Sequence, residues 1–221
     1  MFPLNLVLFP GMVLPIHVFE ERYKLMMKHV LEGDRRFGVV LIKLGEEAGE
    51  PAVPYDVGTV ARIIDVSPQP EGRMNITTVG EAPFEILRVE QQEPYLVGRV
   101  ELLERPEVET EEVTGLAGRL KGHFQAYISL MAELAGAEPK EVTLDDGPEQ
   151  LSYLVGSALR TEMRRKQRLL ENPSVEGRLR EELHILEEEN LALQLFLSAK
   201  GRAEGASTPG EGLSRRRFSP N

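Results

Sequence analysis

No charged side chain occurs before Glu20, and Pro3, Pro10 and Pro15 divide the run that precedes it. A membrane helix needs an unbroken apolar stretch; a secretory signal needs a basic start and a small-residue cleavage site. Proline lacks the amide hydrogen and clashes with the preceding turn, and no Lys or Arg precedes the run. The stretch therefore reads as buried strand and turn. Leu4 to Leu8 is the expected strand. Phe9-Pro10-Gly11-Met12 suits a type II turn, with proline fixing φ at the second position and glycine accepting positive φ at the third. Met12 to Val18 then leads into a helix. Phe19, Tyr23, Met26, Met27, Val30 and Leu31 recur at helical spacing as one apolar stripe. Glu20 and Glu21 suit the positive end of the helix dipole, and Lys28 and His29 the other end. Gly33 is the expected left-handed residue past the helix end.

Short β-rich segments follow. Arg36 to Ile42 is a continuous apolar run, the mark of a strand covered on both faces. Gly45 to Pro54 is an acidic loop. Asp56 to Val66 and Arg73 to Val79 flank the turn-forming Ser67 to Gly72 and predict a hairpin. Pro83 to Glu90 and Tyr95 to Leu103 are two further strands. Six strands with one early helix predict a closed or half-closed barrel over residues 1–106. Residues 107–200 read as a helical bundle. A stripe from Val113 to Leu134, a break over Gly136 to Pro148, and helices at 151–159 and 163–170 make up its first part. Asn172-Pro173 ends the third helix, and Ser174 is the N-cap of the last. There Leu179, Leu183, Leu186, Asn190, Leu193 and Leu197 form a heptad-like seam. It is too short for an independent coiled coil, so the seam should pack on the helix of 113–134. Residues 201–221 are rich in Gly, Ser, Pro and Arg, the composition of a disordered tail.

The chain has 221 residues, no cysteine and a net charge of −10. Disulfides and thiolate metal sites are thereby excluded, and a reducing cytoplasm is the simplest setting. Acidic side chains outnumber basic ones both before and after residue 106 within the two expected folded regions, against the basic excess of a protein that neutralises many phosphates.

The opening FPLNLVLFPGMVLPIHVFEERY resembles the start of the N-terminal domain of the ATP-dependent Lon proteases. The likeness continues at Arg36 to Val40, Val57 to Ile63, Lys166 to Glu171 and Arg178-Leu179, and covers about residues 1–197. It departs at Pro83, where the family usually has an Arg before the Phe. The resemblance implies an α+β fold, a PUA-like β-barrel with an inserted helix followed by a helical bundle. It also implies a part in recognising protein substrates and in assembly. No G-x-x-x-x-G-K-[ST] phosphate loop is present, so the resemblance points to a stand-alone substrate-binding protein with neither ATPase nor peptidase chemistry.

The residues themselves offer no competing chemistry. His17, His29, His123 and His184 stand outside any H-E-x-x-H spacing. Lys121 and Ser129 are separated by about 12 Å along one helix, too far for a dyad. No catalytic residue, metal or cofactor is expected. Met12, after the turn, is a candidate protein-binding residue because methionine repacks readily. Arg22 and Arg62 are candidates because they fall inside the family-like motifs. Arg160, Arg164, Arg165, Lys166 and Arg168 form the one dense basic cluster of the folded regions and are the candidate patch for an RNA-binding alternative. No aromatic residue interrupts the cluster to stack a base. The expected partners are unfolded or tagged protein segments, with a protease or chaperone as the partner of an adaptor. No membrane is expected, and a monomer is.

Overall fold

The computed structural model describes residues 1–46, 52–103, 110–139, 144 and 147–206. Six strands come first: β1 (Phe2–Leu4), β2 (Val13–Val18), β3 (Arg36–Leu44), β4 (Val53–Pro68), β5 (Met74–Gln91) and β6 (Val97–Leu102). Helix α1 (Glu21–Glu32) is inserted after β2. Four helices follow the sheet: α2 (Glu111–Ala135), α3 (Pro148–Ala158), α4 (Met163–Glu171) and α5 (Val175–Ala206). The class is α+β, with the strand order β1-β3-β4-β5-β2 and β6 paired to β5. Only the β1–β3 pairing is parallel. The sheet does not close into a barrel. Strands β1 and β2 stand at the two ends of the path, each with a single partner among the described residues.

The turn at the start behaves as its sequence requires. Gly11 has φ 78° and Met12 N donates to Phe9 O. Gly11 N then donates to Gly80 O, and Gly80 N to Met12 O. A Cβ at Gly80 would lie 2.3 Å from Phe9 O, so this position admits no side chain. The predicted strand at Leu4 to Leu8 is replaced by β1, which stops at Leu4. Val7, Leu8 and Phe9 are buried without strand pairing.

Residues 13–18 form a strand, not a helix approach: Leu14, Ile16 and Val18 are buried while Val13, Pro15 and His17 are exposed. That alternation buries one face of β2, and β2 is an edge strand because β5 is its single partner among the described residues, so proline is tolerated at position 15. The helix after it begins at Glu21, and Phe19 is 52% exposed, so the ring is not part of the buried stripe. Tyr23, Met26 and Met27 carry that stripe into the sheet's apolar cluster with Phe2, Ile16, Ile63 and Ile76. Gly33 takes φ −100°, not the left-handed conformation; Arg35 does, at φ 62°. The hairpin expected around residues 67–72 is present, closed by a 3₁₀ turn at Pro70–Gly72. The two strands expected at 73–79 and 83–90 are one continuous β5.

The helical stripe of α2 is buried from Val113 to Tyr127, and Thr110 Oγ1 caps its start by accepting from Val113 N. Ser174 Oγ accepts from Gly177 N at the start of α5, as expected of an N-cap. Arg180 meets Glu112, Arg119 meets Glu187, and Asn190 meets His123, so α2 and α5 run side by side in the same direction. Leu179, Leu183 and Leu186 are buried in the cluster that α2 also lines. Val7, Phe9 and Leu41 belong to that same cluster. Helix α5 runs to Ala206, past the expected start of a disordered tail at 201. The tail from 207 onward lies outside the described residues, as do parts of the acidic loop and of the break before α3.

Candidate functional site

Strand β4 pairs with one edge of β5 and leaves the other edge to two partners. Strand β2 takes residues 74–79 and β6 takes residues 84–91. The chain ends of both partners are fastened there: Gly80 to Gly11 and Met12, and Pro83 O to Leu103 N. Glu81 and Ala82 lie between them, and two hollows meet at this pair. One is a cleft of about 590 Å³ between the Pro10–Met12 turn, Glu81–Pro83 and the Tyr153–Leu154 face of α3. The other is a groove of about 620 Å³ lined by Phe37, Val60, Phe84, Val100 and Leu102. Phe84 lies flat there because Gly38 and Gly58 lack side chains; a Cβ at either would come within 2.7–2.8 Å of its ring. Leu102 is 56% exposed beside it. A third hollow of about 290 Å³ lies where the sheet stays open. It is lined by Phe2 and Leu4 of β1, Leu14, Ile16 and Val18 of β2, and Phe19.

Electrostatics at the junction centre on Glu81. Arg36 Nε donates to its Oε2 at 2.6 Å and Arg62 Nε to its Oε1 at 2.5 Å, which ties β3, β4 and β5 together. The hydrogen bond from Arg36, helped by that from Arg62, holds the Glu81 carboxyl below the usual carboxylate range.

Met12 is half-buried in the cleft and packs against both apolar clusters. Arg62 reaches the same junction through Glu81. Arg22 lies elsewhere: it pairs with Glu20 at 3.0 Å, covers the Tyr23 ring at 4.6 Å and lines a small recess with Pro3 and Tyr95. The five basic residues do not share one face. Arg165 pairs with Glu188 at 3.0 Å and Arg168 with Glu181 at 3.8 Å, both on α5. Lys166 is buried, its Nζ donating to Ser157 O at 2.8 Å, and burial lowers its pKa. Arg160 and Arg164 are exposed. No group of three His, Asp or Glu side chains is placed to hold a metal among the described residues, and no helix there is long and apolar enough to cross a membrane.

Sequence reasoning passed over Val100, Leu102 and Tyr153, which line the hollows, and assigned Phe19 to the buried stripe although it lines the third. It also passed over a buried polar group between α3 and α5. Arg178, Ser152 and Glu182 there are wholly inaccessible. An arginine or glutamate in a helical sequence reads as solvated surface unless its neighbours on the apolar stripe are weighed. Arg178 is one position before Leu179, and Glu182 one before Leu183.

The chain is thus an open mixed sheet with surface hollows, followed by a helical half. The family model of the ATP-dependent protease La (LON) substrate-binding domain matches residues 1–188, and the chain belongs to that family. Among curated relatives it is 32% identical over 193 residues to the Lon protease of Anaeromyxobacter dehalogenans (strain 2CP-C), covering 86% of this chain and 23% of the relative. It is 31% identical over 193 residues to Lon protease 2 of Myxococcus xanthus, with the same coverage. The chain thus spans about a quarter of the length of the curated relatives it matches. A crystal structure of a Lon N-terminal domain protein from Xanthomonas campestris superposes with a TM-score of 0.62 at 25% identity, covering 83% of this chain and 95% of that one. The N-terminal domain of the Mycobacterium avium complex Lon protease shares the fold, with a TM-score of 0.60 at 21% identity, over 84% of this chain and 96% of that one.

Proposed function

We propose that this chain is a non-catalytic module that binds extended, apolar segments of unfolded or tagged proteins. Membership of a substrate-binding family supports the reading. The observation that carries it is the junction at Glu81 and Ala82, where a mixed cleft and a mainly apolar groove meet beside the edge of β6. An extended segment laid along β6 can use main-chain hydrogen bonds for affinity and place alternate side chains against Val100 and Leu102, both exposed. Met12 and Tyr153 supply adaptable and flat apolar contacts in the adjoining cleft. The sheet, open between β1 and β2, fits a PUA-like barrel that has not closed. The sheet unit of residues 1–106 and the helical unit of 107–200 are the two parts of the same reading, and the cysteine-free composition suits a cytoplasmic setting. The RNA alternative has less behind it, because Arg165 and Arg168 are engaged by acidic partners on α5 and Lys166 is turned inward.

Fluorescence anisotropy with labelled, unfolded casein as the probe tests this. Binding is expected to persist between low and moderate salt and to be lost in Leu102→Asp. A signal that collapses as salt rises, and is competed by RNA, would identify a phosphate-binding surface instead. No anisotropy change at any protein concentration would remove the peptide reading.

A further inference from the structure

The buried group between α3 and α5 is built from two carboxyls, one guanidinium and one hydroxyl. Arg178 donates from Nε to Ser152 Oγ at 3.1 Å and from Nη1 to Asn172 O at 2.9 Å. Its Nη2 is 3.5 Å from Glu149 Oε1, and its guanidinium covers the Tyr153 ring at 4.7 Å. Ser152 Oγ in turn donates to Glu182 Oε1 at 2.9 Å. Glu182 Oε2 has no hydrogen-bond partner among the described residues. Gly156, one helical turn along from Ser152, comes so close that a Cβ there would lie 3.4 Å from Glu182 Oε1 and 3.0 Å from the Phe9 ring. Helix α3 is therefore seated directly on this carboxyl, and Tyr153, which stacks under Arg178, also lines the 590 Å³ cleft together with Leu154.

We propose that Glu182 is a proton-operated latch: its neutral carboxyl holds α3 on α5, and ionisation loosens α3. The latch concerns the packing of α3 on α5 and stands whatever the cleft binds. A neutral carboxyl suits this buried seat, whereas a carboxylate with one oxygen unpartnered does not. Burial, the dominant influence, pushes Glu182 well above the usual carboxylate range, with Glu181 adding to the shift and Ser152 and Arg178 opposing it. The charged and titratable groups around it are Arg178 and Glu181 on α5, Glu149 and Tyr153 on α3, and Arg168 of α4, which pairs with Glu181. Gly156 and Phe9 complete the seat without charge. Glu149 supplies a carboxylate to Arg178, so a neutral Glu182 does not leave the guanidinium without a counter-charge.

The test follows the side-chain carboxyl carbon of Glu182 by NMR in the full chain across pH 4–10, together with hydrogen exchange of the α3 amides corrected for the intrinsic pH dependence. Glu182 is expected to remain protonated at neutral pH. Above its titration point, α3 exchange should quicken by about tenfold per pH unit. Glu182→Gln, which keeps the size and neutrality of the protonated acid, should hold α3 protected at all these values. A Glu182 carboxyl that titrates in the ordinary carboxylate range while the protein stays folded overturns the latch. So does wild-type α3 exchange that is independent of pH after correction. Should Glu182→Gln not fold, the wild-type titration and exchange still decide the matter.

Discussion

Asn190 of α5 donates from Nδ2 to the backbone carbonyl of His123 in α2 at 3.0 Å. A carbonyl this far inside a helix already accepts its own ladder bond, so the amide takes the second lone pair. The contact fixes the axial position of α5 against α2 within one chain. It is the use to which a polar residue on a heptad-like seam is put in coiled coils, turned here to an intramolecular pair.

Leu186, one turn before Asn190 and fully buried, should therefore matter to the fold and not to association. Leu186→Ala is expected to lower unfolding free energy by about 2–5 kcal/mol, measured by urea titration. Light scattering over a hundredfold concentration range should give the same mass for both proteins. A wild-type dimer that the substitution converts to a folded monomer would place the seam between chains.

Phe19→Ala should cost less than about 1 kcal/mol, because half of the residue is already in water and its neighbour is the His17 ring at 5.7 Å. Phe84→Ala, at a buried ring in the same sheet, should cost about 3–5 kcal/mol. Equal losses in the two urea titrations would show that Phe19 is packed. If Phe19→Ala leaves stability intact but weakens casein binding, the opening between β1 and β2 takes part in recognition.

Gly80→Ala is expected to be among the most damaging single-methyl additions in the chain. The new carbon would sit 2.3 Å from Phe9 O, backbone that cannot swing aside. The turn would have to leave β5, at a cost of roughly 1–3 kcal/mol or more. A melting temperature within a degree of wild type would mean that the turn yields freely.

Glu81 links stability to acid. Its carboxyl is depressed in the folded state by Arg36 and Arg62, so its contribution is present above the ordinary carboxylate value of about 4.5 and disappears as pH falls through the lower folded value. Glu81→Gln should destabilise at pH 7 and be neutral at strongly acidic pH, with a smaller difference in high salt because the Arg partners are largely exposed. Unfolding curves at the two pH values decide it; a penalty that persists unchanged in acid would assign Glu81 a packing role.

Much of the architecture was legible because it is written in period and punctuation. The stripe of α2, the hairpin over 67–72 and the turn at Gly11 each follow from local spacing. Strand β2 was also legible, since Leu14, Ile16 and Val18 alternate with exposed positions, but the three prolines drew attention to turns. Phe19 fitted the helical spacing and was placed on the stripe one residue before the helix begins. The fusion of two strands into β5 was hidden by Pro83, which normally ends a ladder yet here offers only its carbonyl to Leu103. Closure of the barrel cannot be read from strand count, because it depends on whether β1 and β2 meet. Of the candidate residues, Met12 and Arg62 come to the same junction. The seat of the Phe84 ring beside the groove depends on absent side chains at Gly38 and Gly58, which no single position announces.

Phe9 is covered by Tyr153 and by the bare backbone of Gly156, both far along the chain in α3. During synthesis its ring has no native seat until α3 has been made. At roughly 5–20 residues per second, that leaves the most apolar segment of the protein waiting on the order of ten seconds. The contact is strongly non-local, which slows folding further. The apolar opening of this fold therefore stays uncovered, in the early part of its synthesis, until a helix made much later closes over it.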